Sequence, residues 1–108
     1  MTTGGVLTVV SLTESSDRRL KSNIRQLDGA LALVSQMRGT RFSKGEVESI
    51  GVIAQELEEV LPEVVMQDDA GMLSVAYGNL AAVFIEAIKE LEHKVSMLQA
   101  QINENAKP

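Results

Sequence analysis

Hydrophobic and polar positions recur with different periods along this chain, and each change of period marks an expected element. Residues 6 to 12, "VLTVVSL", are dense in β-branched residues after a Gly-Gly pair and predict a strand or an extended arm. The polar "TESSDRR" breaks that pattern. From Leu20 onward, Leu20, Ile24, Leu27, Leu31 and Val34 recur at three-to-four spacing, as on one helix face. Gly29 interrupts that face, and an interior glycine costs about 1 kcal/mol against alanine. The expectation is therefore an irregular lead-in to about Leu27, then a helix from Gly29 to Met37 capped by the Asp28 carboxylate.

"RGTRFSKGEVES" reads as a loop or hairpin, with Gly39 and Gly45 as turn residues and Arg41-Phe42 in a short strand. In "SIGVIAQELEEVLPEVV", Ile53, Leu57, Val60 and Leu61 share a helix face. Pro62 ends that helix, because it lacks an amide donor and clashes with the preceding turn. "EVVMQDDAGMLSVAY" predicts a β-hairpin, with Val64 to Met66 and Met72 to Val75 as strands and Asp68 to Gly71 as the turn.

The last segment is the most regular. Tyr77, Ala81, Phe84, Ile88, Leu91, Val95, Leu98 and Ile102 follow one another at alternating intervals of four and three, a sustained heptad seam. Ala82 and Ile85 widen it in the first half, so that half is expected to pack on its own domain as well. Beyond Leu91 only the seam is apolar, and a lone helix of that kind has nothing to bury it against. The helix, about Tyr77 to Asn103, is therefore expected to associate with copies of itself. β-branched residues at the first seam position and leucine at the fourth favour two strands in isolated coiled coils.

Composition narrows the function. The 108 residues suit one domain. Fifteen acidic against ten basic residues give a net charge of -5, and no basic cluster with interleaved aromatics is present, which argues against nucleic acid as partner. With two Phe and one Tyr the core must be aliphatic. The absence of cysteine excludes disulfides and thiolate metal sites, and the single His93 cannot build a zinc centre or a Ser-His-Asp triad alone, so no metal or cofactor is expected. No apolar run approaches the roughly twenty residues of a membrane span, and the start "MTTGGVLTVV" does not read as a signal peptide. His93 falls at an outward heptad position and reads as solvated. Tyr77 reads as a packing residue, and the "ELEE" run as a solvated face. "DDAG" lacks the alternating oxygen ligands of a calcium loop.

What remains is "SSDRRLKSN", where Ser16 and Lys21 stand in one polar stretch. A serine hydroxyl needs a base before it becomes a useful nucleophile. Lysine, with an ordinary pKa of about 10.4, serves as that base only if burial or a neighbouring cation favours the neutral amine. On a continuous helix, five residues of separation would turn the two side chains about 140° apart. They meet only if Ser16 lies outside a helix. Spacing alone favours the plainer reading, in which Ser16 or Asp17 caps a turn and Lys21 is solvated.

The stretch also resembles a known family. "SDRRLKSNI" is similar to the start of the self-cleaving C-terminal intramolecular chaperone domain of phage tailspikes, tail fibres and endosialidases. A domain of the same type occurs in a membrane-bound myelin-gene transcription factor. The pattern Ser-Asp-x-x-Leu-Lys, with an Ile shortly after, is met at Ser16, Asp17, Leu20, Lys21 and Ile24. "ALALV", "IGVIAQELEEVLPEVV" and "YGNLAAVFIEAIKELEHKV" resemble the later blocks in the same order, so the resemblance runs from Ser16 to about Ile102.

It implies an α+β fold of short strands and helices ending in a long helix that forms a parallel trimeric coiled coil, with Phe84, Ile88, Leu91, Val95, Leu98 and Ile102 in the trimer seam. Three strands stand here against the two that the seam residues favour alone. The resemblance also implies a homotrimer fused behind a fibrous passenger, which it registers and then releases by cutting Ser15–Ser16. Ser16 would be the nucleophile and Lys21 the general base of this serine peptidase. Asp17, Gln55 and Glu56 are candidates to line the site, and Gln55 and Glu56 read at least as well as the start of a helix. Residues 1–15 would be the passenger's end or a linker, and 16–108 the chaperone. The precursor would be made in the host cytoplasm, the passenger would go to the virion tail, and the released domain would not stay there. The rival expectation is a coiled-coil oligomerisation module that does not cut. A third, an adaptor helix for another protein, would expose an apolar groove instead of a self-complementary seam.

Overall fold

A chain with few aromatic residues has to build its interior from small aliphatic side chains, and that dictates a thin core. The computed structural model describes residues 6–107. The Gly-Gly pair at 4–5 and Pro108 lie outside the described residues. The order of elements is helix α1 (Ala30–Ser35), strands β1 (Thr40–Lys44) and β2 (Val47–Gly51), helix α2 (Ala54–Val60), strands β3 (Val65–Gln67) and β4 (Leu73–Val75), and helix α3 (Leu80–Asn105). Short 3₁₀ turns stand at Arg18–Leu20, Pro62–Val64 and Tyr77–Asn79. The fold is α+β with a long terminal helix, as expected.

The strands form two separate antiparallel hairpins. In the first, Thr40 lies opposite Gly51 and Lys44 opposite Val47. Gly45 takes φ 64 at the first of the two loop positions, where a II′ turn needs a positive φ. In the second, Val65 lies opposite Val75, and Asp68 holds the turn by accepting from the amides of Ala70 and Met72, both at 2.9 Å. Pro62 ends α2 as its chemistry requires and opens the 3₁₀ turn that leads into β3.

Expectations at the start of the chain are narrowed in one place and corrected in another. Of the strand or arm expected at Val6–Leu12 the strand is not formed, and the run is an exposed arm. No strand pairs with it among the described residues, and an unpaired strand leaves its amides and carbonyls without a ladder. The helix expected over Gly29–Met37 is shorter, and Asp28 does not cap it. Gly29 occupies the cap position with φ 72 and offers no side chain. The first free amides, Ala30 N and Leu31 N, instead donate to Glu90 Oε2 on α3, at 2.8 and 3.2 Å. A partner sixty residues away does the work expected of the adjacent carboxylate.

The core consists of Ala30, Leu57, Leu61, Val64, Leu80, Val83 and Ala87, with Leu27, Val34, Val52 and Val75 half-buried around it. The first half of α3 does pack on its own domain, but through Leu80, Val83 and Ala87. Ala82 and the largely exposed Ile85 take no part in the buried core. At about 100° per residue, the stripe Leu80–Val83–Ala87–Glu90 lies about 80° around the helix from the seam. The domain therefore occupies one face and leaves the seam uncovered. The radius of gyration is 18.9 Å, against about 13 Å for a compact domain of this length. The excess comes from the exposed segment 6–26 and from α3 beyond Glu90, where every described residue is exposed.

Candidate self-cleavage segment and assembly seam

Ser16 and Lys21 are brought together by one tight turn. Asp17, in an extended conformation, caps the 3₁₀ turn Arg18–Leu20 by accepting from Arg19 N at 2.8 Å. Its carboxylate also takes the Arg19 guanidinium in a fork, Nε to Oδ1 at 3.1 Å and Nη2 to Oδ2 at 2.9 Å. The amides of Leu20 and Lys21 close the turn on the carbonyls of Asp17 and Arg18, both at 3.0 Å. Ser16 thus precedes the turn and Lys21 leaves it extended. Lys21 Nζ donates to Ser16 Oγ at 2.7 Å.

The Arg19 guanidinium, and after it the Arg19 amide, hold the Asp17 carboxyl below the usual carboxylate range. The pair is solvent-exposed, so it orders a turn more than it stabilises the fold. Arg19 stands at a variable position of the Ser-Asp-x-x-Leu-Lys pattern and, with Arg18, is a cation close to Lys21 in sequence; its guanidinium goes to Asp17.

Gln55 and Glu56 stand elsewhere. Glu56 is engaged by Arg38, Nε to Oε1 at 3.0 Å and Nη2 to Oε2 at 2.5 Å, and these hydrogen bonds hold its carboxyl below the usual range. Gln55 lines an open groove with Phe42, Val52, Met72 and Tyr77. Among the described residues no hydrogen bond joins either side chain to Ser16 or Lys21. The block that contains them has a different visible use. The Tyr77 hydroxyl accepts from Val52 N at 3.1 Å, and a Cβ on Gly51 would stand 2.6 Å from that hydroxyl. Only glycine leaves the space, and through it the head of the terminal helix is pinned to the end of β2.

The seam side chains Phe84, Ile88, Leu91, Val95, Leu98 and Ile102 are 43% to 63% exposed on the single chain. Such a stripe on a 26-residue helix is apolar surface with no cover of its own. His93 lies at a polar concavity with Asp28, Glu90 and Lys94. Among the described residues no three histidines or carboxylates are grouped to hold a metal, and no helix is long and apolar enough to cross a membrane.

Against this geometry stand the similarities to known proteins. The model of a peptidase family described as the chaperone of endosialidase matches residues 16–66, from Ser16 into β3. These residues belong to that family. The match takes in the Ser-Asp-x-x-Leu-Lys pattern and the block around Gly51, and stops before the terminal helix. The long tail fibre protein Gp37 of Enterobacteria phage K3 is 36% identical over 98 residues, which is 81% of this chain and 8% of the relative. The protein of the same name from Salmonella phage S16 is 30% identical over 94% of this chain, and that from Enterobacteria phage M1 is 30% identical over 81%. The chain spans 15% and 39% of those two relatives, so what it resembles is a part of each fibre protein.

Proposed function

We propose that this chaperone domain trimerises through the α3 seam, holds a fused fibrous phage passenger in register, and then frees itself by cutting Ser15–Ser16. The observation that carries the reading is the 2.7 Å contact between Lys21 Nζ and Ser16 Oγ, made by residues of the family's own pattern. The uncovered seam supports the assembly half. The relatives' description as long tail fibre proteins supports a fibre as the passenger, with its final place in the virion tail.

The chemistry balances on the chain's own atoms. Neutral Lys21 accepts the Ser16 hydroxyl proton as Oγ attacks the Ser15 carbonyl carbon. The tetrahedral adduct collapses, the C–N bond breaks, and the proton passes to the departing Ser16 amine. Ser15 is then esterified to Ser16 Oγ. Water hydrolyses that ester, leaving a carboxylate on Ser15 and a free amine and hydroxyl on Ser16. Removing water from around a lysine favours its neutral form, so a partner chain covering this exposed segment would favour the reaction.

Intact-mass measurement on freshly expressed protein tests the reading. A fragment beginning at Ser16 is expected from the wild type, and an uncut chain that still assembles from Ser16→Ala. Lys21→Arg keeps the charge but cannot be deprotonated in this range, so it too should stay whole. Cutting at the same bond by Ser16→Ala would overturn the nucleophile, and near-wild-type cutting by Lys21→Arg the base. A wild type that assembles yet never cuts would be a plain oligomerisation module.

A further inference from the structure

Glu14 lies just upstream of the Ser15–Ser16 bond, and its carboxylate rests on the head of the terminal helix. A Cβ placed on Gly78 would stand 2.7 Å from Glu14 Oε1 and 3.5 Å from Glu14 Cδ. Gly78 sits in the 3₁₀ turn Tyr77–Asn79 and is not among the glycines of positive φ. Its backbone therefore suits any residue, and alanine there would be the better helix former. What glycine provides at this position is room, and the group that fills the room is the Glu14 carboxylate. The charge fits the place, since the turn and α3 carry no side-chain cap and no acidic residue in their first turns. Among the described residues Glu14 makes no hydrogen bond here. The contact is one of close approach.

We propose that Glu14 on Gly78 is a positioning contact for self-cleavage, holding the chain that enters the Ser15–Ser16 bond against the start of the assembly seam. The inference rests on the cleavage reading above. One end of the contact lies two residues before Ser16. The other is adjacent to Tyr77, which begins the seam and is pinned to Val52 N. Assembly of the seam and presentation of the bond then share one anchor, and a chain detached from it presents the bond less often to Ser16 and Lys21. Neither Glu14 nor Gly78 touches the reacting atoms.

Two measurements decide it. In the uncut Ser16→Ala chain, a glutamate-specific endopeptidase reports how exposed the Glu14–Ser15 bond is. Adding Gly78→Ala should speed that cut about fivefold and leave cuts after other glutamates unchanged, because the larger residue displaces the carboxylate. In chains that retain Ser16, Gly78→Ala and Glu14→Ala should each slow self-cleavage about five- to tenfold, since small misplacements of reacting groups are costly. Their double variant should be no slower than either single, the mark of one shared contact. Gly78→Ala should at the same time melt no lower than wild type, which separates a lost anchor from a damaged fold. Additive slowing, or Gly78→Ala that cuts itself normally with unchanged endopeptidase sensitivity, would overturn the proposal. A wild type that never cuts itself would overturn the cleavage reading, while the endopeptidase comparison still decides the contact.

Discussion

The two halves of α3 share one heptad rhythm and meet different surroundings. From Leu80 to Glu90 the helix carries two stripes. One of them, Leu80, Val83 and Ala87, packs on α1 and joins Leu57, Leu61 and Val64 in the buried core, and ends in Glu90 capping α1. The other is the seam. From Leu91 to Asn105 the seam stands alone, and every side chain is exposed. An isolated helix of about fifteen residues is marginal in water even with good helix formers. The first half is therefore held by its own domain, whereas the second is held only by what covers the seam. Periodicity tells that a face is apolar. It does not tell whose interior that face enters.

The strongest test of the contrast places charge in the free half. Leu91→Asp with Leu98→Asp puts two carboxylates from each helix into the proposed trimer axis and should abolish assembly in sedimentation. Helix content by circular dichroism should fall as residues beyond Glu90 fray, while the hairpins and the core around Leu57 stay. A double variant that still sediments as a trimer would mean that the seam is not the interface.

Next in size is the held half. Leu80 is 2% exposed, so Leu80→Ala should cost about 2–5 kcal/mol of domain stability through lost transfer energy and the cavity left behind. Leu98→Ala, made in the assembly-deficient chain, should leave the denaturation midpoint almost unchanged. Equal losses at the two positions would dissolve the distinction between the halves.

This division explains what was legible in the sequence. Features decided within a few residues were: Pro62 ending α2, Asp68 closing its own turn, the second hairpin, and the length of the terminal helix, while the first hairpin was left open as loop or hairpin. The approach of Lys21 to Ser16 is also local, because the Asp17-capped turn closes over six residues, but spacing alone did not choose it over a solvated lysine. Features decided by distant partners were not. The cap on α1 comes from Glu90, Glu56 is taken by Arg38, and Val6–Leu12 finds no strand to pair with. The buried stripe of α3 was hidden beside a more regular seam. Ala82 and Ile85 widened the apolar face as plausibly as Val83 and Ala87 did, and only the placement of α1 and α2 chooses between them.

A smaller effect is expected where the two kinds of contact meet, at Glu90. Glu90→Gln keeps the shape but weakens the acceptor for Ala30 N and Leu31 N, and losing a helix cap typically costs about 1 kcal/mol. Urea denaturation should show that loss in the domain, with assembly through the seam intact. A variant that fails to assemble would mean that Glu90 serves the seam and not α1.

The smallest expected effect separates the halves by pH. Arg38 holds the folded Glu56 carboxyl below the usual range, through hydrogen bonds first and charge second. A carboxyl whose pKa is lower folded than unfolded contributes stability that is fully present above its unfolded value, and loses it as the pH falls through the folded value. The pair joins the loop between α1 and β1 to the first turn of α2, so the loss falls on the domain and leaves the free half of α3 untouched. The pair is exposed, and its contribution is correspondingly slight. Urea midpoints of the assembly-deficient chain and of its Glu56→Gln variant, compared at neutral pH and again well below the ordinary glutamate range, isolate it from the other carboxylates. The wild-type pair should lead by a small margin at neutral pH, and that margin should close in acid. A margin that persists in acid would mean that Glu56 acts through its shape, and that the carboxylate's charge contributes nothing to the domain.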